Sequence, residues 1–339
     1  MVTSVVHVSS VHAADDNRIT EKECRALLEA GYRVSLLTAS ARPVTVPNLR
    51  VIRLAPPQTR FVRLTQTLRQ IFTRCREEQA DLYHLHDPEL IPVGLALKAL
   101  GATVLYDAHE DLPEQVKSKQ YLPRMAKALL PPAIEFVLPK VLARFDGVIA
   151  ASEELGHKLA APRRETIFNY PRLDEFEAAP TPVAERSLKV AYIGVLSETR
   201  GFVEMLEAAA DARRAHPTLQ FLLIGGEGTP GLIDRYPRLL DAAGAVWTGR
   251  QPRSEVVRQL RDVRVAFCIL QPTPAYLRSI PTKVFEYMAS GTPVIASDFS
   301  YWRNIYREGV VFVDPAKPQS VSEAPNGLLG DPAAATRLA

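Results

Sequence analysis

The chain has 339 residues, too many for one ordinary domain and comfortable for two. With 47% hydrophobic and 23% charged residues it has the composition of a soluble globular protein, and a net charge of +3 gives no general affinity for nucleic acid. Cys24, Cys75 and Cys268 lie far apart, without metal-ligand or redox spacing, and no apolar run is long enough to span a bilayer. The opening MVTSVVHVSSVHAADD has no basic region before its apolar run and turns acidic soon after it, which is not a signal peptide. A cytosolic protein is expected.

Short β-branched runs alternate with helical patterns, the signature of parallel sheets with crossover helices. In the first half strands are expected at Thr3–Val8, Arg33–Leu37, Arg50–Leu54, Asp81–Leu85, Thr103–Tyr106, Gly147–Ala150 and Thr166–Phe168. The loop after the first strand holds His12, Asp15, Asp16 and Arg18. They read equally well as an exposed histidine with helix-capping acids or as the acceptor side of a site. A helix follows over Arg18–Ala30, with Ile19, Cys24, Leu27 and Leu28 on one face. From Arg60 to Arg76 there are five arginines and no acid, around a stripe of Phe61, Leu64, Leu68, Ile71 and Phe72. A packed helix with a solvated basic face is favoured there over a helix lying on an anionic membrane. In HLHDPEL, His86 and Asp87 stand at a strand end, and Asp87 is expected to cap a helix over Pro88–Leu100. TVLYDAHEDLPEQV places Asp107, His109, Glu110 and Asp111 just past another strand end, where a doubly wound fold keeps its ligand site. Glu110 and Asp111 are expected to orient the His109 ring. Between Lys117 and Arg144 six basic residues face one acid, Glu135, a second segment suited to an anionic membrane surface.

The stretch LDEFEAAPTPVAERS, residues 173–187, is polar and proline-rich and reads as a linker. The alternation then restarts: LKVAYIG, LQFLLIGG, RVAFCIL, TPVIAS and VVFV read as strands, with helices over Phe202–Ala215 and Ser254–Arg261 among those between them. The expected architecture is α/β: two Rossmann-like, doubly wound lobes with a cleft between them. Residues 1–172 form an acceptor-side lobe, 188–315 a nucleotide-binding lobe and 316–339 a shortened tail. In SIPTKVFEYMASGTPVIAS, Thr282 is expected to cap a helix closed by Gly291. A helix N-terminus at the strand ends favours a phosphate, and Lys283 in its first turn makes electrostatic sense once an anion binds there. Glu286, one turn further in, can accept hydrogen bonds from two ribose hydroxyls. Taken alone, the stretch reads equally as an amphipathic helix with a capping threonine and a surface lysine. Gly194 ends the first strand of this half and lets a ligand approach the backbone, and Arg200 follows it. IGGEG, residues 224–228, reads as a turn, with Glu227 bordering the base. The chain offers no Asp-x-Asp for a divalent metal.

EYMASGTPVIAS resembles the signature of glycosyltransferase family 4, a family of the two-lobed GT-B fold, and SIPTK resembles variants found in its polysaccharide-biosynthesis members. The resemblance runs from about Val5 to Pro315. It implies a retaining transfer from a nucleotide-diphosphate sugar to a glycan or lipid-linked acceptor, by front-face attack within an ion pair. By resemblance Glu286 holds the donor ribose, Arg200 and Lys283 clamp the diphosphate with Gly194 and Thr282 beside them, and His109 contacts the donor sugar at the reaction centre. His12, Asp16 and Glu110 fall on the acceptor side. No cofactor and no metal are implied, since two cations and a helix dipole can stabilise the leaving group. The family's first signature glutamate falls at position 278, where this chain has Arg278, which puts the donor sugar in doubt.

After Asp314-Pro315, Pro325 and Gly327 stand where the family runs a helix, so that helix is expected to be shortened or lost. This keeps a catalytically degenerate nucleotide-binding protein open as an alternative, alongside a nucleotide-sugar epimerase on the same fold.

Overall fold

The computed structural model describes residues 3–118, 122–176 and 181–339. The chain divides into two compact units, Met1–Asn169 and Tyr170–Ala339. Part of the expected linker, residues 177–180, and Lys119 of the second basic segment lie outside the described residues. Residues 181–187 pack on the second unit. The buried guanidinium of Arg186 donates to the carbonyls of Thr181, Val263 and Ser290 and to Thr292 Oγ1, at 2.7–3.3 Å.

The first unit carries β1 (Ser4–Ser9), β2 (Arg33–Thr38), β3 (Arg50–Arg53), β4 (Leu82–Leu85), β5 (Thr103–Ala108), β6 (Gly147–Ala150) and β7 (Arg164–Thr166). They form one sheet in the order β3-β2-β1-β4-β5-β6-β7, every pair parallel. The last strand begins two residues before the expected Thr166. Here pairing with β6 decides, not the β-branched run. Val6, Val8, Leu85, Val104, Tyr106 and Val148 fill the core on one face. The helical residues 17–29 cover the other, opening with widened π-type turns over Asn17–Cys24. β1 and β4 lie side by side with their crossovers running in opposite directions, so the carboxyl ends of these two strands are the switch point where such sheets take ligands.

The second unit repeats the plan with β8 (Lys189–Ile193), β9 (Gln220–Ile224), β10 (Ala245–Trp247), β11 (Val265–Cys268), β12 (Val294–Ser297) and β13 (Val310–Val313), in the order β10-β9-β8-β11-β12-β13. Its switch point falls between β8 and β11. The C-terminal expectation needs correcting: residues Pro318–Gly330 form one helix despite Pro325, and Pro332–Leu338 another. Val321, Leu328 and Leu329 join the core around the Phe202–Ala215 helix, and Pro325 is buried with them. Burial of these residues outweighs the hydrogen bond that proline cannot donate.

Candidate active site

At the switch point of the first unit, strand register sets the geometry. His7 pairs with His84 across β1 and β4, and His86 follows His84 by two residues, so all three rings leave the same face of the sheet. Asp107 on β5 lies on that face as well. The result is a buried cluster. His7 Nδ1 stands 2.9 Å from His86 Nε2, and His86 Nδ1 stands 3.2 Å from His109 Nε2. The His109 ring is also 3.3 Å from Asp107 Oδ2. Arg18 donates to both Asp107 oxygens, at 3.1 and 2.9 Å, and to the Ile167 carbonyl at 2.8 Å, while its Nε lies 3.0 Å from Glu23 Oε1.

Two carboxyls so close together separate in charge. Burial and the neighbouring Asp107 push Glu23 up to about 10, against the pull of Arg18. Burial opposes the charge on Asp107 as well, but hydrogen bonds from His109 and His86 and the charge of Arg18 hold it well below the usual carboxylate range. Desolvation lowers His84 to about 3 and His7 well below the ordinary histidine value, so these rings are neutral. His12 lies at the rim, with Nε2 3.3 Å from Asp87 Oδ1 and Nδ1 3.5 Å from Asp16 Oδ2. Burial alone would lower its pKa, but the two carboxylates raise it. Asp16 caps the 17–29 helix by accepting from the Arg18 and Ile19 amides, and these bonds with His12 outweigh burial to bring it down to about 2.

In the second unit the sheet ends in glycines. Gly194 follows β8 with φ of 141°, and a methyl group there would stand 2.5 Å from Lys283 Nζ. Gly225 follows β9, and a methyl group on it would sit 1.8 Å from the Gly194 carbonyl. The Lys283 ammonium therefore lies directly on bare backbone, 3.9 Å from the centroid of the Tyr192 ring. Nζ is shielded from solvent and has no hydrogen-bond partner within the protein. Arg200 closes the turn after β8. It lies 5.7 Å from the Tyr276 ring, and the following Gly201, in the left-handed region at φ 67°, packs under the Ile269 carbonyl. Glu286 is buried and paired: Arg253 Nη1 lies 2.9 Å from Glu286 Oε1 and Arg253 Nη2 2.7 Å from Glu175 Oε2. This positions one carboxylate oxygen of Glu286 and leaves acceptor capacity on the group.

The sequence profile described as glycosyl transferases group 1 matches residues 174–339, and that described as glycosyl transferase 4-like domain matches residues 17–165. The chain belongs to the family 4 glycosyltransferases. Among curated proteins it is 25% identical over 171 residues to a Bacillus subtilis strain 168 protein assigned as the teichuronic acid biosynthesis glycosyltransferase TuaH. That alignment spans 47% of this chain and 42% of the relative. Solved structures share the GT-B fold. Sucrose-phosphate synthase from Thermosynechococcus elongatus matches with a TM-score of 0.71 at 22% identity, over 99% of this chain and 92% of that one. Anabaena HepE in complex with UDP-glucose matches with a TM-score of 0.70 at 13% identity, over 99% and 93%.

Against the family signature, Gly194, Arg200, Thr282, Lys283 and Glu286 all gather at the strand ends of the second unit, and His12, Asp16 and His109 at those of the first. Three expectations change. Thr282 does not cap its helix: Pro281 holds the cap position without a side-chain bond, and Thr282 is the first helical residue. Asp87 occupies a cap position but turns its carboxylate away, accepting from Ser9 Oγ, Ser10 N and Oγ and Val11 N, so it organises the loop after β1. Glu110 and Asp111 do not orient His109. Glu110 is exposed and accepts from Gln115, and Asp111 accepts from Lys158, because the ring has already turned inward to Asp107 and His86. Glu227 is engaged by its own loop, accepting from the Gly231 and Ile233 amides. The sequence reading passed over His7, Glu23, His84 and Arg253. The first three are scattered in sequence: the pairing of β1 with β4 brings His7 to His84, and Glu23 reaches them from the 17–29 helix.

Proposed function

We propose that the chain is a retaining glycosyltransferase that takes a sugar from a nucleoside diphosphate sugar held by the second unit. The acceptor is a glycan or a lipid-linked glycan in cell-surface polysaccharide synthesis. The observation that carries the donor reading is the Lys283 ammonium, shielded from water without a protein partner. A buried cation left unpaired is costly, and a diphosphate oxygen approaching over Gly194 would supply the missing acceptor. Arg200 supplies a second positive charge at the same strand ends, and Glu286, steadied by Arg253, takes the ribose hydroxyls.

As the bond from the anomeric carbon to the diphosphate breaks, charge gathers on the leaving oxygen, where Lys283, Arg200 and the amides of the Thr282–Ala289 helix stabilise it. The acceptor hydroxyl then attacks from the face the diphosphate leaves, which retains configuration, and its proton passes to an oxygen of the departing diphosphate; by the family resemblance His109 contacts the reacting sugar. This departure needs no metal bridging the diphosphate. The acceptor class takes its support from the TuaH-like relative and the SIPTK motif.

The reading extends to where the enzyme works. Among the described residues no helix is long and apolar enough to cross a membrane. The Arg124–Leu142 helix nevertheless exposes Met125, Leu129 and Phe136 at 75%, 66% and 68%, alongside Arg124, Lys127, Lys140 and the nearby Arg144. Apolar side chains among cations suit the anionic inner face of a membrane, where a lipid-linked acceptor would be presented.

Calorimetric titration with UDP, GDP, ADP and dTDP, followed by hydrolysis of the matching nucleotide sugars, tests the proposal. One nucleotide should bind, and its sugar should be hydrolysed in EDTA. Binding without hydrolysis of any sugar would leave a nucleotide-binding relic. Hydrolysis that stops in chelator and returns with magnesium or manganese would overturn the metal-free departure.

A further inference from the structure

The donor reading uses nothing of the deepest part of the first unit, where His7, Glu23, His84 and His86 meet. Their ligand atoms, one from each residue, lie within 4.8 Å of one another. His7 Nδ1 and His86 Nε2 are 2.9 Å apart, and each is 3.9 Å from Glu23 Oε2. A point equidistant from these three atoms is about 2.1 Å from each, inside the zinc–nitrogen and zinc–oxygen range of about 2.0–2.2 Å. The His84 ring stands beside them, its centroid 4.6 Å from that of His7 and 4.5 Å from that of His86.

We propose that His7, Glu23, His84 and His86 form a site for one divalent transition-metal ion, of which zinc fits best, inside the first unit. Three observations converge on it. The first is composition: three imidazoles and one carboxylate are ligands for zinc and its neighbours, whereas magnesium and calcium take oxygen. The second is satisfaction: Glu23 Oε2, one of the three atoms around this point, has no hydrogen-bond partner, and the buried His84 Nε2 of the neighbouring ring has none either. The third is the surrounding shell. Asp107 Oδ2 lies 3.6 Å behind the far nitrogen of His86, Arg18 grips both oxygens of Asp107, and Arg18 Nε stands 3.0 Å from Glu23 Oε1. An outer carboxylate behind a ligating histidine and a fixed ligand carboxylate are what metal sites use to hold their ligands in place.

The ion's role is to tie the 17–29 helix, through Glu23, to β1 and β4. It lies in the first unit and takes no part in holding the diphosphate, so the proposal stands apart from the donor reading.

The full chain, freed of any affinity tag, is dialysed against zinc, desalted through a weak chelator and analysed for metal by mass spectrometry. One zinc per chain is expected. X-ray absorption at the zinc edge should show a nitrogen and oxygen shell with the scattering pattern of three imidazoles, which requires no variant. Glu23→Gln keeps the shape of a protonated acid but is a poor ligand. It should hold less than a tenth of the wild-type zinc while keeping the wild-type circular dichroism, and His84→Gln should do the same. The double variant His157→Gln, His216→Gln, remote from the cluster, should keep the full amount. A wild-type chain that emerges free of zinc overturns the proposal, as does a first shell of sulfur or water. So does a Glu23→Gln chain that keeps one zinc, which would mean the four groups only share protons or that the ion sits on His86, Asp107 and His109 instead.

Discussion

Replacing Lys283 by methionine separates a functional cation from a structural one, because the two roles predict opposite balances of stability and binding. Methionine keeps the apolar stem and removes only the ammonium. In the free protein that ammonium is shielded from water and accepts no help from a hydrogen-bond acceptor, so deleting it relieves a desolvation cost of about 1–3 kcal/mol. Against this stands the lost contact with the Tyr192 ring, 3.9 Å from Nζ, worth about 0.5–2 kcal/mol. The two nearly cancel, so unfolding stability should move by no more than about 1 kcal/mol, and for a unit of this size Tm by only about 2–4 °C. Binding should behave differently. A hydrogen bond from an ammonium to a phosphate oxygen contributes about 1.5–3 kcal/mol, so the Kd for the preferred nucleoside diphosphate should rise about 10- to 150-fold. Thermal denaturation without ligand and calorimetry with it read the two quantities on one sample. A variant that loses more than about 3 kcal/mol of stability while keeping wild-type affinity would show that Lys283 braces the strand end and holds no phosphate.

Four further outcomes are expected. Glu286→Gln leaves Arg253 paired with Glu175, so the fold should persist while nucleotide affinity falls by about 1–2 kcal/mol; unchanged affinity by calorimetry would remove Glu286 from the ribose. His109→Ala should lower donor hydrolysis roughly a hundredfold, about 3 kcal/mol in the barrier, with nucleotide affinity intact; equal rates in mutant and wild type would take His109 out of the reaction. The chain should sediment with anionic vesicles at low salt and far less at high salt, and Phe136→Ser with Met125→Ser should cut the bound fraction several-fold; vesicle binding that ignores both changes would place the contact elsewhere. Burial opposes the charge on Asp262, but hydrogen bonds from Lys189 and Ser187 outweigh it and hold the group at about 2. A depressed carboxylate stabilises above its ordinary value of 3.8 and stops doing so as pH falls toward 2, so Asp262→Asn should flatten acid unfolding of the second unit in that window, and an unaltered profile would refute the assignment.

The second unit's candidate site was legible because it is local. Gly194 with Arg200, and Lys283 with Glu286, are short stretches in which a strand end, a glycine and a helix start follow one another, and the spacing alone puts a lysine in the first turn of a helix. The partner of Glu286 was not legible, since Arg253 lies 33 positions away and arrives from another helix. The first unit was readable as a fold from its β-branched runs, and its loop residues His12, Asp16 and His109 as candidates, but its buried histidine cluster was not readable. His7, His84 and His86 come onto one face only through the register of β1 on β4, and Glu23 reaches them from the covering helix. A histidine on an otherwise apolar strand, two residues from another histidine at the end of its neighbour, was the available signal. The helix over Pro318–Gly330 failed in the opposite sense: local propensity argued against it, and burial of Val321, Leu328 and Leu329 decided for it.

The two units hold buried charge in different ways, and the difference bears on what each can bind. In the first, each charged group finds a complement: Asp107 is ionised against Arg18, Glu23 takes up a proton, and the buried rings of His7 and His84 are neutral. Such a cluster is self-sufficient toward anions. It offers nothing unpaired to a phosphate, but it does offer neutral imidazoles and an exchangeable proton to a metal ion. In the second unit the charge is not balanced. Lys283 is left with a ring face and bare backbone, its neighbour Arg200 is positive as well, and the buried carboxylate of Glu286 is already committed to Arg253. An unpaired buried cation is costly, and the proposed diphosphate at Gly194 would offset that cost. The proposal of a diphosphate in the second unit thus has support from electrostatics as well as from the family signature.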